Sequence, residues 1–377
     1  MSIYTDEQRM IHEAARDFSR EVLAPGAVAR ESAGEIESAV LSGLSELGFL
    51  GMTVPEADGG VGADYVAYAL ALMEIAAGDG AVSTMVSVHN APFCAILQRF
   101  ASPEQKQRWL TPAAAGEFIG AFALTEPHAG SDAAALRTRA RRENGEYVIS
   151  GSKQFITSGR IAGASLAFAV TDPDAGKKGI SCFYVPAETP GLSVAKTEEK
   201  LGQKASDTSA LAFDDMRLGE EYRIGDEGQG YAIALSSLET GRIGIAAQSV
   251  GMAQAAFDCA LTYARERESF GKPIFEHQAV QFRLADLETE LEASRQLTLH
   301  AARLKDAGEP CLREACMAKL FASEVAEKVC SGAIQTLGGY GYLADYPVEK
   351  IYRDVRVCQI YEGTSDIQKL IIARQMS

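Results

Sequence analysis

The chain has no Cys-x-x-Cys pair, and its seven cysteines, at 94, 182, 259, 311, 316, 330 and 358, form no cluster of zinc-like spacing with its five histidines. Reduced core thiols are therefore expected, with neither a metal site nor a disulfide framework. No dense block of Lys and Arg is present and the net charge is −15, which argues against nucleic acid as a main ligand. No uncharged apolar run approaches the roughly 18 residues that a membrane span needs. The start, "MSIYTDEQRM", has neither signal-peptide nor transit-peptide character, so a cytoplasmic protein is expected. A Gly-x-Gly-x-x-Gly after a strand is also missing, so a Rossmann site is not indicated. No histidine stands at triad spacing, and His89 in "SVHN" reads as a packed or capped side chain.

What is present suggests two or three domains in 377 residues. Residues 1–117 read as helices. "TDEQRMIHEAARDFSREV" offers Thr5 as an N-cap, with Ile11, Ala14, Ala15, Phe18 and Val22 on one stripe. "IESAVLSGLSELGF", "ADYVAYALALMEIAA" and "SPEQKQRWLTPAAAG" follow, the last capped by Ser102 with Pro103 at its first position. Over 118–218 the period shortens. "GEYVISGSKQFIT", "SLAFAVT", "ISCFYVP", "GLSVA" and "TSALAFDDM" predict an antiparallel β domain. From 228 to 377 three long helical stretches and a shorter closing "DIQKLIIARQM" suit a four-helix bundle, with Leu284, Leu287, Leu291 and Ser294 on or near one face. The expected class is α+β: an N-terminal helical domain, a middle antiparallel β domain and a C-terminal four-helix bundle.

Several segments could carry chemistry. "ALTEPHAGSDAAAL", residues 123–136, with the flanking Phe122, reads first as a domain linker, but its hydroxyls and backbone N–H groups could also bond a flat, polar-edged ring or a phosphate. "QFIT" puts Phe155, Ile156 and Thr157 at a strand end, where core packing is the plain reading. "RERESFGKP" places Arg267, Phe270 and Gly271 past a long helix, either as a solvated terminus or as a grip on phosphate and adenine. Gly338 and Gly339 in "QTLGGYGY" fit a helix C-cap or a close backbone approach to a ligand. "QIYEGTSDIQ", residues 359–368, sets the carboxylate of Glu362 between Tyr361 and Gly363 in a run otherwise headed for the interior. A buried unpaired carboxylate finds a partner, takes up a proton or serves a reaction.

In order and spacing, "SVHN", "TEPHAGSD", "GSKQFIT", "GRIGIAAQ", "RESFGKP", "QTLGGYGY" and "IYEGTSDIQ" resemble the acyl-CoA dehydrogenases, particularly the short-chain, butyryl-CoA branch. The likeness covers nearly the whole chain and agrees with the three-part layout. It implies FAD-dependent α,β-dehydrogenation of a short acyl-CoA, straight or branched, to the trans-2-enoyl-CoA. Electrons would pass to an electron-transferring flavoprotein, and the assembly would be a homotetramer. By resemblance, Phe122, Leu124, Thr125, Gly130 and Ser131, with Phe155, Ile156 and Thr157, meet the flavin of FAD. Arg267, Phe270, Gln278, Gln335, Gly338 and Gly339 match residues that hold the pyrophosphate and adenosine half, partly in a neighbouring subunit, and Thr364 and Asp366 also lie at FAD in relatives. Ser131, Glu239, Arg242 and Gly363 match substrate-side positions, Glu239 reading as a CoA contact or a surface charge.

The resemblance assigns Glu362 as the base that removes the α-proton. Relatives that carry the base on the "ETGRIG" helix place it at the position of Gly241 here, so the base is expected on the C-terminal loop. Phe155 stands where the family usually has Trp, and His128 where it commonly has a small residue. An acyl-CoA oxidase, a specialised member for cyclic or charged acyl groups, and a non-catalytic flavin or acyl-CoA binder remain as alternatives. No pocket Arg occurs in "STMVSVHNAPFC", which favours an uncharged tail.

Overall fold

The structure, a computed structural model, describes residues 4–376; the leader-free reading of the first residues lies in part outside these. Helix α1 (Asp6–Phe18) starts on a capping box in which Thr5 accepts from the Gln8 backbone and the Gln8 side chain bonds back. A π-helical turn, Ser19–Leu23, then inserts a residue before α2 (Ala24–Ala33). That insertion corrects the expected stripe: Leu23 is fully buried, whereas Val22 is 38% exposed. Next come α3 (Ser38–Glu46) and α4 (Tyr65–Gly78). Helix α4 is capped by Asp64 and buried on nearly every face, because α1 packs on one side and the C-terminal domain on another.

Residues 80–100 form a helix that is apolar and long enough to cross a membrane, so the expectation that no such run exists needs amendment. This helix is a core element, with 94% of its apolar window buried inside the protein. It divides into α5 (Gly80–Val88) and α6 (Ala95–Phe100) around Ala91 and Pro92, where the backbone leaves helical geometry. His89 lies there fully buried, stacked on Phe93 and bonded to Ala113 O at 3.0 Å and to the Gly120 N–H at 2.9 Å. Ser102 does cap its helix, with Pro103 in the first turn.

The sheet contains β1 (Gly120–Ala123), β2 (Arg139–Glu143), β3 (Glu146–Thr157), β4 (Ala164–Val170), β5 (Ile180–Pro186), β6 (Leu192–Thr197), β7 (Thr208–Gly219) and β8 (Arg223–Ile224). Its order is β6-β7-β3-β2-β4-β5-β8, with β1 beside β4. It is mixed rather than purely antiparallel. Strand β1 runs parallel to β4, and the β2–β3 hairpin supplies the long crossover a parallel pair requires. Strand β2, "RARRE", escaped the apolar pattern because only Ala140 faces inward.

Three long helices, α7 (Gly230–Glu266), α8 (Gln278–Asp306) and α9 (Leu312–Leu337), form the C-terminal bundle, closed by α10 (Val348–Val355) and α11 (Ser365–Arg374). Leu284, Leu287, Leu291, Ser294 and Thr298 face inward from α8. One apolar core runs from α4 through α7 to α9, so the two helical domains share it. All seven cysteines are free thiols, and all but Cys259 are buried.

Candidate active site

The loop after α10 carries Glu362 in the left-handed region, with φ of 52°. A non-glycine residue there costs on the order of 1–2 kcal/mol, so the surroundings must enforce it. On the N-terminal side, the Tyr361 hydroxyl donates to Gln248 of α7 and lies 3.4 Å from Thr84 of α5. On the C-terminal side, Lys319 of α9 donates to the Gly363 carbonyl at 2.8 Å, and Gln368 donates to the carbonyls of Glu362 and Gly363 at 3.2 and 2.9 Å. Thr364 caps α11 through the Ile367 N–H. The turn is thus tied to four helices and stays in place while the Glu362 side chain remains unbonded.

Glu362 as a residue is partly exposed, but Oε2 of its carboxylate is enclosed and has no hydrogen-bond partner. Gly241 explains the space it occupies, because a Cβ there would stand 1.9 Å from that oxygen. Burial pushes the Glu362 carboxyl up to about 7, against the pull of Arg242 and Lys319. Arg242 is 3% exposed and its Nε is also unpartnered. The backbone N–H of Glu362 meets no acceptor among the described residues. A dry carboxylate, a free N–H and an unsatisfied guanidinium therefore converge at one turn, where they could take a proton from carbon and hold a neighbouring carbonyl oxygen.

The raised pKa has a consequence for stability. The folded state keeps a proton that the unfolded chain releases, so this group's contribution is complete below pH 4.5 and is lost as the pH rises through about 7. Glu362→Gln is expected to be more stable than wild type at pH 8 by roughly 3 kcal/mol, and by much less at pH 5. Melting temperatures at the two pH values check this; equal gains at both would mean that the carboxyl does not titrate in this window.

A second group gathers where the helices meet the sheet. The Thr125 carbonyl accepts from the Gln154 N–H at 2.8 Å, which brings the Phe122–Ser131 loop beside Phe155–Thr157. Lys153, fully buried, bonds Leu124 O at 3.1 Å and Glu126 at 2.8 Å, and Glu126 receives the N–H groups of Arg137 and Thr138. Phe155 is 62% exposed with φ of 59°, thrown outward by a bulge between Lys153 and Ile156, whose own side chain is buried. Ser131 and Gly130 are exposed, and nothing lies within 4 Å of a Cβ built at Gly130. His128 lies near the surface, 3.5 Å from Glu126. An exposed ring, an open glycine and hydroxyls on a braced loop fit a flat cofactor.

A third group lies elsewhere. Arg267 ends α7, about 39 Å along the helix from Gly241 at 1.5 Å per residue. Its guanidinium is 5.9 Å from the Tyr340 ring centroid, just past the exposed Gly338 and Gly339. Gly338 has φ of 64° and ends α9 as its C-cap. Phe270 is 95% exposed, and Gln278 and Gln335 are exposed too. Glu239 is bonded to Lys305 at 2.9 Å. A cavity of about 150 Å³, bordered by Tyr65, Gln98, Ser236, Thr240 and Lys305, adjoins α7 near Gly241 without including Glu362. Sequence reading did not single out Lys319, Gln368 or Gln248. The signal was a lone charged residue on an otherwise uncharged buried helix face: Ala315, Ala322, Ser323 and Ala326 flank Lys319 and are all buried.

The chain matches the family models for the acyl-CoA dehydrogenase N-terminal domain over residues 5–117, middle domain over 121–216 and C-terminal domain over 228–377. It belongs to the acyl-CoA dehydrogenase family. It is 46% identical over 372 residues to an acyl-CoA dehydrogenase of Bacillus subtilis (strain 168), covering 99% of this chain and 98% of that one. The structure of butyryl-CoA dehydrogenase from Megasphaera elsdenii superimposes with a TM-score of 0.98 at 38% identity, covering 100% of this chain and 99% of that one. A chain of the structure described as the electron transferring flavoprotein of Acidaminococcus fermentans gives a TM-score of 0.98 at 40% identity, with 100% and 99% coverage. This acyl-CoA dehydrogenase is an oxidoreductase acting on acyl-CoA, and members of its family depend on FAD.

Proposed function

We propose that the protein dehydrogenates a short acyl-CoA, straight or branched, to its trans-2-enoyl-CoA, with Glu362 as the base. The observation that carries this is the enclosed, unpartnered Oε2 of Glu362 against the bare Gly241. Removing a proton next to a thioester carbonyl needs a base of raised proton affinity, and burial supplies it. The unbonded N–H of Glu362 offers a donor where enolate charge develops on the thioester oxygen. Arg242 adds a positive charge near the same point. Gly363, with φ of 91°, lets the substrate approach the backbone.

FAD, when bound, supplies the acceptor for the hydride that leaves the β-carbon. Phe122, Leu124, Thr125, Gly130 and Ser131, with Phe155 and Thr157, would hold its flavin; buried Ile156 would act through its backbone alone. Ser131 and Glu239 would border the CoA side. Thr364 and Asp366 would lie toward the cofactor from the start of α11. Arg267, Phe270, Gln278, Gln335, Gly338 and Gly339 belong to the end of α7, the start of α8 and the end of α9, and Arg267 lies about 39 Å along α7 from Gly241, which supports a role at a neighbouring subunit's FAD and hence a homotetramer. The likeness to the butyryl-CoA dehydrogenase supports a short acyl group, and the Acidaminococcus neighbour supports an electron-transferring flavoprotein as the acceptor. The domains divide at 1–117, 118–218 and 228–377.

Anaerobic addition of butyryl-CoA to the FAD-loaded protein is expected to bleach the flavin band within one turnover. Unchanged absorbance with butyryl-CoA and with its branched and longer homologues would overturn this function, and peroxide formation in air would mark an oxidase instead.

A further inference from the structure

Lys319 has a setting that its place on a helix does not explain. Its side chain is fully buried, and among the described residues its one hydrogen bond is to the Gly363 carbonyl at 2.8 Å. A lysine so enclosed ordinarily pairs with a carboxylate. The carboxylate within electrostatic reach is that of Glu362, which it does not bond.

Other groups around it come from every neighbouring element. Arg242 faces it from α7, Cys316 from its own helix, and Cys358 and Glu362 from the loop. Tyr361 packs beside Cys358 at 3.5 Å, the Tyr68 hydroxyl of α4 is within electrostatic reach of Glu362, and Glu239 acts on Cys316. Burial holds the thiols and both phenols neutral, which leaves Arg242, Lys319 and Glu362 as the ionisable groups nearest the turn. Two cations facing one carboxylate leave an excess positive charge where a thioester would gain negative charge.

We propose that Lys319 is a positioning residue for this reaction, its ammonium fixing the Gly363 carbonyl, and so the left-handed turn at Glu362, while its charge favours the ionised form of the Glu362 carboxylate. The inference rests on Glu362 being the base. Lys319 performs two separable tasks. As a donor it pins the carbonyl that follows the base, and without it the Glu362 and Gly363 carbonyls keep only the Gln368 bonds. As a cation it opposes the burial that protonates the base. Its own titration falls to about 8, so the charge is present at neutral pH.

Two variants separate the tasks. Lys319→Met keeps the volume and removes donor and charge; Lys319→Gln removes the charge and keeps an N–H donor. The protonated-carboxyl infrared band that Glu362→Gln deletes is expected to titrate about one pH unit higher in both variants than in wild type. That reading needs no turnover. At pH 7, where Lys319 is still charged, the bleaching rate with butyryl-CoA divided by the ionised fraction of the base, read from the infrared titration, is expected to fall about ten-fold in Lys319→Met and to stay near wild type in Lys319→Gln. A band that titrates unchanged in Lys319→Gln overturns the electrostatic part, and equal rates per ionised base at pH 7 in Lys319→Gln and Lys319→Met overturn the positioning part. If Lys319→Met fails to fold, a rate per ionised base at pH 7 in Lys319→Gln about ten-fold below wild type overturns positioning through the donor. Retained bleaching in Glu362→Gln would instead overturn the underlying assignment of the base, and the infrared result would stand apart from it.

Discussion

Glu362→Gln is expected to bind butyryl-CoA and FAD as wild type does, while bleaching the flavin slower by roughly 10²–10⁴-fold, the usual share of a general base. The amide matches the neutral carboxyl in shape and charge. The turn should survive the change, because it is held by the bonds of Tyr361, Lys319 and Gln368, none of which uses the Glu362 side chain. Oε2 has no partner in the protein, so its replacement orphans no other group. What is lost is proton affinity alone. Stopped-flow bleaching under anaerobic conditions, beside equilibrium binding of the substrate, separates these quantities. Wild-type bleaching in the variant would remove Glu362 from the reaction, whereas a parallel loss of binding would mean that the side chain also shapes the pocket.

How far this was visible beforehand differs from residue to residue, for physical reasons. A carboxylate between Tyr361 and Gly363 in an apolar run is a local contradiction, and local contradictions can be read without a structure. The three long helices of the bundle were legible because their apolar period persists over many turns. Val22 was misplaced because the π-helical turn at Ser19–Leu23 shifts the phase by one residue and leaves no compositional mark. Strand β2 was missed because charges on both sides of Ala140 hide its alternation. The parallel pairing of β1 with β4 depends on contacts between segments some forty residues apart, which no window of sequence contains. Lys319 looks like an ordinary surface lysine in "CMAKLF"; only the position of the Glu362 turn against α9 gives it a partner. The "RESFGKP" group could be recognised by its residues. Its separation from Glu362 appears only once α7 is seen as one uninterrupted helix of 37 residues.

Gly241→Ala should be nearly as damaging as loss of the base, although a methyl group on a helix is ordinarily mild and favours helix over glycine by about 1 kcal/mol. The added Cβ would stand 1.9 Å from Glu362 Oε2 and 2.8 Å from its carboxyl carbon. The helix cannot yield, because Thr240–Ala253 is buried without interruption. The carboxylate must therefore move, by more than an ångström, and displacement of a reacting group on that scale lowers rates by about 10²-fold. A carboxylate pushed from its dry position toward water should also regain an ordinary acidity, so the stability gain of Glu362→Gln at pH 8 should shrink in the Gly241→Ala background. Shortening the acid provides the decisive comparison. In Gly241→Ala/Glu362→Asp the carboxylate withdraws by one methylene from the new Cβ, and the double variant is expected to bleach flavin faster than Gly241→Ala alone, even though Glu362→Asp by itself is slower than wild type. Such a reversal of sign is the mark of direct coupling between the two positions. Additive losses across the four proteins would show instead that position 241 acts through the fold, and that the space it leaves is not what seats the base.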